Sequence, residues 1–119
     1  MFRSAWMSCI AIAAASTAYA QQQLTDDELK STVVGKRIVW GSASTGVTSV
    51  YNADGIYKAF NNSSGRTDEG KYQVAGGRVC VDFTNNVSRC DRIFRDGEGI
   101  YLLNGQGTKF RGTIRPNTP

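Results

Sequence analysis

Histidine does not occur anywhere in the 119 residues, proline occurs only twice and cysteine three times. Without histidine there is no Ser-His or Cys-His nucleophile pair. Two thiols with no imidazole beside them cannot complete a four-ligand zinc centre. The glycines fall in short polar clusters between apolar runs, and none forms a phosphate-cradling loop ahead of a helix. These absences predict a protein with no catalysis, no metal and no cofactor. Carboxylate pairs are the acid–base material that remains, Asp68 with Glu69 and Asp96 with Glu98. Both stand in or beside turn sequences, where solvated carboxylates are the rule.

A long hydrophobic run is also missing. The apolar stretch from Ala5 to Ala15 follows a single basic residue, Arg3, and leads to the small-residue pattern Ala18-Tyr19-Ala20. It falls short of the roughly twenty residues that a membrane span takes, and Gln21-Gln22-Gln23 supplies no stop-transfer signal. The layout is that of a cleaved export signal over residues 1–20. It places the mature chain in the periplasm or outside the cell, with no transmembrane segment left after cleavage.

Cleavage removes Trp6, Cys9 and both methionines, so the mature chain keeps one tryptophan, Trp40, and two cysteines, Cys80 and Cys90. Thirteen basic residues then face ten acidic ones, a balance of +3, too mild for a nucleic-acid partner. In an oxidising compartment two cysteines ten positions apart are expected to pair. A loop of that length contributes roughly 3 kcal/mol in the chain-entropy picture.

Leu24-Thr25-Asp26-Asp27-Glu28-Leu29 carries a capping box, with Thr25 as N-cap and Glu28 reaching back, and Leu24 and Leu29 are placed as a hydrophobic staple. The spacing predicts a helix from Asp26 to about Val33, ended by Gly35. Residues 21–35 are thus a tail and short helix, and 36–119 a separate β domain. From Lys36 onward, short runs rich in Val, Ile, Tyr, Phe and Thr alternate with Gly, Asn, Asp and Ser clusters. Eight strands follow: Lys36 to Gly41, Val47 to Asn52, Ile56 to Asn61, Thr67 to Val74, Arg78 to Phe83, Val87 to Arg95, Ile100 to Asn104 and Lys109 to Arg115. Asp54-Gly55 is the strongest hairpin signal, as both residues tolerate positive φ.

The cysteines constrain the register. If Thr84-Asn85-Asn86 is a three-residue turn, Phe83 faces Val87, Val81 faces Arg89 and Cys80 faces Cys90, the close approach a bridge needs. One hairpin face then carries Val79, Val81, Phe83, Val87 and Ile93 together with Arg89 and Asp91. Eight short antiparallel strands joined by tight turns are best arranged as an all-β up-and-down barrel, which leaves no open edge. A two-sheet sandwich is the alternative.

Three sets of residues are candidates for binding. Arg89 and Asp91 form a polar anchor for a small apolar ligand if their face is the interior, and an ordinary cross-strand pair otherwise. Trp40 is either a plug in one barrel end or a ligand platform. Ile100-Tyr101-Leu102-Leu103 is apolar on both faces, so its outer face needs cover, from Leu29, Val33 and Val34 of the helix or from an envelope partner.

The Gly35-to-Trp40 segment, the Tyr51-to-Gly55 hairpin, Gly70-Lys71-Tyr72 and the paired-cysteine hairpin from Val79 to Ile93 together cover nearly the whole mature chain. In this layout the chain resembles a family of small exported bacterial lipocalin-like barrels of unknown function, which implies a calycin-like barrel and a periplasmic address. The architecture is also similar to that of periplasmic inhibitors of lysozyme and of secreted metalloproteases. Ser63-Ser64-Gly65-Arg66 is similar to the Ser-x-Ser-Gly loop of the lysozyme inhibitors, although the aromatic that follows there is absent here. For protease inhibition the tail Gln21-Gln22-Gln23 is the part that would enter a cleft. The readings that stand are a non-enzymatic binding barrel and, as the alternative, an inhibitor of a secreted hydrolase acting through one of those two segments.

Overall fold

The computed structural model describes residues 22–97 and 99–116. The expected export signal, residues 1–20, and Glu98 of the second carboxylate pair lie outside the described residues. In chain order the elements are β1 (Gln22–Gln23), α1 (Asp26–Val33), β2 (Lys36–Trp40), β3 (Val47–Tyr51), β4 (Ile56–Asn61), β5 (Thr67–Ala75), β6 (Arg78–Phe83), β7 (Ser88–Asp96), β8 (Gly99–Leu103) and β9 (Lys109–Pro116). Strands β2 to β9 each pair antiparallel with the next, and β9 returns to pair with β2 through Ile114 opposite Ile38. The result is a closed eight-stranded up-and-down barrel, not a sandwich, with β1 as a ninth strand beside β7. No helix among the described residues is long and apolar enough to cross a membrane.

The hairpin register follows the cysteines. Val81 faces Arg89, Cys80 faces Cys90 and Val79 faces Asp91, and Phe83 donates its amide to the Val87 carbonyl at 2.8 Å. Cys80 and Cys90 form the disulfide. The turn works because Asn86 takes the left-handed conformation, φ 70°, which its short polar side chain tolerates. At the Asp54-Gly55 turn only Gly55 has positive φ. Asp54 instead accepts a hydrogen bond from the Ile56 amide, so it stabilises the turn through its side chain.

Strand alternation sorts the residues into two walls. Ile38, Trp40, Tyr51, Tyr57, Val79, Val81, Ile93, Ile100 and Leu102 point inward and form one buried cluster. Strand ends place half of the turns at each end of the barrel. At the end where β2 begins, α1 acts as a stopper, with Leu24, Leu29 and Val33 buried in the same cluster. The capping box is complete, Thr25 N–H donating to Glu28 and the Glu28 amide to the Thr25 hydroxyl. Asp26 accepts from the amides of Gly76 and Gly77 in the β5–β6 turn, which fixes the helix across the barrel end. The helix contacts β2, β5 and β6, so it does not cover the outer face of β8. That face is covered from within the sheet: Phe94 lies opposite Tyr101, and Lys109 Nζ stands 4.5 Å from the Tyr101 ring centroid.

Candidate functional site

Inside the barrel a polar seam crosses the apolar core. Asp91, the neighbour of the disulfide in β7, is buried at 3% exposure and accepts from Arg89 Nε at 2.8 Å. Arg89 also reaches the Tyr57 hydroxyl at 3.4 Å, and Tyr57 shares a 2.7 Å hydrogen bond with the buried Ser49 hydroxyl. The seam is supported by rings in edge contact: Tyr51 lies 5.2 Å from Tyr57 and 5.5 Å from Tyr72, and Tyr57 lies 5.8 Å from Phe83. Phe83 in turn sits 5.7 Å from the Arg89 guanidinium carbon. Register makes this convergence: Ser49, Tyr51, Tyr57, Arg89 and Asp91 all occupy inward positions on β3, β4 and β7.

Burial sets the electrostatics. It pushes the Asp91 carboxyl above its ordinary value, against the opposing pull of Arg89. It also raises the Tyr51 hydroxyl well above the usual phenol range and raises that of Tyr57. Both phenols are therefore neutral hydrogen-bonding groups at physiological pH. Trp40, Ser49 and Asp91 all lie near enough to Tyr51 to act on its hydroxyl, so these side chains share one region of the interior.

Three buried side-chain polar atoms among the described residues have no hydrogen-bond partner. Arg37 Nε belongs to an outward position of β2. The other two, Trp40 Nε1 and Asp91 Oδ1, are on inward-facing, buried residues, one a donor and one an acceptor. Leaving such groups dry costs about 1–3 kcal/mol each. Trp40 is held by its neighbour: a Cβ on Gly112, its cross-strand partner, would stand 2.4 Å from the indole ring. Gly112 is thus the bed on which the ring lies.

Among the described residues no helix lies across the barrel end opposite α1, where β2 ends at the buried Trp40. Pairing of β7 with β8 stops at Arg92 opposite Leu103, so Ser88–Asp91 have no strand partner on that side among the described residues. The β8–β9 turn closes on itself, Asn104 accepting from the amides of Gln106 and Thr108. A notch is left in the wall beside Arg89, whose side chain is 44% exposed while that of Asp91 is 4% exposed. Because hydrogen-bonded and non-hydrogen-bonded pairs alternate from the Phe83–Val87 pair, Ser88 and Cys90 turn their main-chain groups into this notch. Arg89 and Asp91 therefore share the inward face of β7, the first partly exposed beside the notch and the second buried behind it. Val87 shares this face opposite Phe83 but, beyond the end of the strand, is 53% exposed at the lip.

A concavity of about 410 Å³ lies at the rim of the same end, bordered by Phe60, Asp68, Glu69 and Phe83. Asp68 and Glu69 are successive residues of β5, so their side chains leave opposite faces of the strand and do not converge. Asp68 instead pairs with Arg66 at 3.4 Å. No group of three metal-ligating side chains occurs among the described residues.

Ser63, Ser64, Gly65 and Arg66 form an exposed turn at the end opposite the helix. Asn61 Oδ1 accepts from Ser63 and Ser64, which fixes the turn without linking it to the seam. The tail proposed to enter a protease cleft is not free from Gln22 onward. Gln22 and Gln23 pair with Arg95 and Phe94 of β7, and Gln23 Nε2 donates to the Gly77 carbonyl. No local pattern marks Ser49, Tyr51 or Tyr57 as partners of Arg89. Their common inward phase appears only once β3 and β4 are registered against each other. The chain matches no family model, no curated protein and no solved structure.

Proposed function

We propose that this is an exported, non-enzymatic binding barrel that takes a small, mostly apolar ligand through its open end. The observation that carries the reading is a pair of buried atoms without hydrogen-bond partners, Trp40 Nε1 and Asp91 Oδ1, both on inward-facing residues of an apolar barrel. A ligand group that both accepts and donates, such as a hydroxyl, satisfies the two together. Export is supported by the signal-like residues 1–20 and by the Cys80–Cys90 bridge, which belongs to an oxidising compartment. The absence of catalysis is supported by the lack of histidine; abolition of a measured turnover by Asp68→Asn would overturn it.

The test is native mass spectrometry of mature protein purified gently from the periplasm. The expected result is one mass that shows cleavage, one disulfide and a reproducible non-covalent adduct. Trp40, the one tryptophan beyond residue 20, should change its fluorescence when the adduct is stripped. The double variant Trp40→Phe, Asp91→Asn should carry no adduct. A bare mass for the wild type together with unchanged fluorescence would overturn the pocket reading.

A further inference from the structure

The outer wall of the barrel is electrically lopsided. Inward positions on β6 to β9 are fixed by the buried Val79, Asp91, Ile93, Ile100 and Leu102, so Arg78, Arg92, Lys109, Arg111 and Arg115 face outward, and all five are exposed. They are neighbours: Arg78 lies opposite Arg92, Arg92 opposite Leu103 and Leu103 opposite Lys109. Among the described residues of β7, β8 and β9, Asp96 is the one outward carboxylate, at the helix end of β7. The ion pairs among the described residues are Arg66–Asp68 and Arg89–Asp91, and neither involves this wall. Elsewhere outward cations alternate with carboxylates, as with Lys58, Glu69, Lys71 and Asp82 on β4, β5 and β6.

The basic wall is also apolar between its charges. Phe94, Tyr101 and Leu103 occupy outward positions and are half-buried. Lys109 and Arg111 lie over the Tyr101 ring at 4.5 and 5.7 Å, and Arg111 donates to the Tyr101 hydroxyl. Cations spread around aromatic and aliphatic side chains suit a bilayer interface, where the charges meet anionic headgroups and the rings enter the boundary below them. A site for a soluble polyanion needs the charges but not the apolar residues between them. We propose that the β7–β8–β9 wall docks the protein on an anionic lipid surface. The interior is left free, so this docking does not depend on the ligand reading.

The test uses the mature protein and sedimented vesicles of phosphatidylglycerol mixed with phosphatidylcholine, with pure phosphatidylcholine and soluble dextran sulfate as comparisons. The expected result is co-sedimentation with the anionic vesicles, loss at high salt and none with the neutral ones. At about fivefold per cation near a charged bilayer, the triple change Arg92→Gln, Lys109→Gln, Arg111→Gln should cut partition roughly a hundredfold. The triple change Lys30→Gln, Lys58→Gln, Lys71→Gln removes the same charge elsewhere and should keep most of the binding. Equal losses in both triples would reduce the effect to net charge and overturn the proposal. So would dextran sulfate binding by the wild type without vesicle binding, a result that needs no variant to fold. Asp91→Asn should bind vesicles as the wild type does, so failure of the ligand reading and of this one are told apart.

Discussion

The two ends of the barrel are built from opposite materials. At the helix end, Leu24, Leu29 and Val33 fill the opening, and the capping box and the Asp26 contacts to Gly76 and Gly77 hold the stopper in place. At the other end a charged side chain, Arg89, stands in a notch with a buried carboxylate behind it. At the first end the apolar groups are covered and the helix start is capped, and the buried atom left without a partner there is Arg37 Nε, on the outer face of β2. The second carries, on Asp91 and Trp40, an acceptor and a donor without a partner among the described residues. Apolar packing is thus concentrated at one end, whereas two of the three unpaired buried atoms, on Trp40 and Asp91, lie on inward-facing residues away from the helix.

The sharpest way to break that division is to hollow the stopper. Leu29 is fully buried, and Leu29→Ala is expected to cost about 3 kcal/mol, within the range for large-to-small core changes. Chemical denaturation of mature protein measures it. A loss under about 1 kcal/mol would mean that the helix rests on the barrel without sealing it. The bed of Trp40 comes next. Gly112→Ala places a methyl group where the indole ring lies, and overpacking of this kind costs about 1–3 kcal/mol. If the ring moves instead, the near-ultraviolet circular dichroism and the fluorescence of Trp40 should change while the midpoint barely does. That outcome would show room around the ring in the cluster.

Most of the fold was legible because its signals are local. The capping box of Thr25 and Glu28, the turn residues and the β-rich runs each act within a few positions, and the cysteine pair fixed one register across a hairpin. The site was legible only in part, because its contacts run between strands distant in sequence. Arg89 and Asp91 stood out as charges in phase with Val79 and Val81. Whether that phase meant interior or rim depended on barrel closure between β2 and β9, which no local pattern reports. The two apolar faces of β8 had the same ambiguity. Helix cover was a reasonable expectation for Leu29 and Val33, yet the helix had a better use for them in the open barrel end, and Lys109 and Arg111 lay over Tyr101 instead.

The end opposite the helix is sharpened by pH. The Asp91 carboxyl is raised by burial above its ordinary 3.8. A carboxyl raised in the native state holds its proton more tightly folded than unfolded. It therefore favours folding below that ordinary value, and the contribution is lost as pH rises through the raised native value. Asp91→Asn cannot ionise, so its melting temperature should gain on the wild type as pH rises through this window. Parallel melting curves would mean that Arg89 compensates the buried charge in full and that the anchor has no unmet need.

The smallest effect is expected at the turn from Ser63 to Arg66. Arg66 and Asp68 pair at 3.4 Å with side chains 70% and 41% exposed, and exposed pairs of this kind contribute from nothing to about 1 kcal/mol. The turn's own hydrogen bonds run from Asn61 to Ser63 and Ser64, none through the Arg66 side chain. Arg66→Ala should therefore shift stability by only a few tenths of a kcal/mol, within the usual range for surface changes, and should leave adduct retention in native mass spectra as in the wild type. Loss of the adduct with stability intact would move the binding site from the seam to the outer lip. The groove beside Phe60 and Glu69 would then be the ligand's contact, and Arg89 only its neighbour.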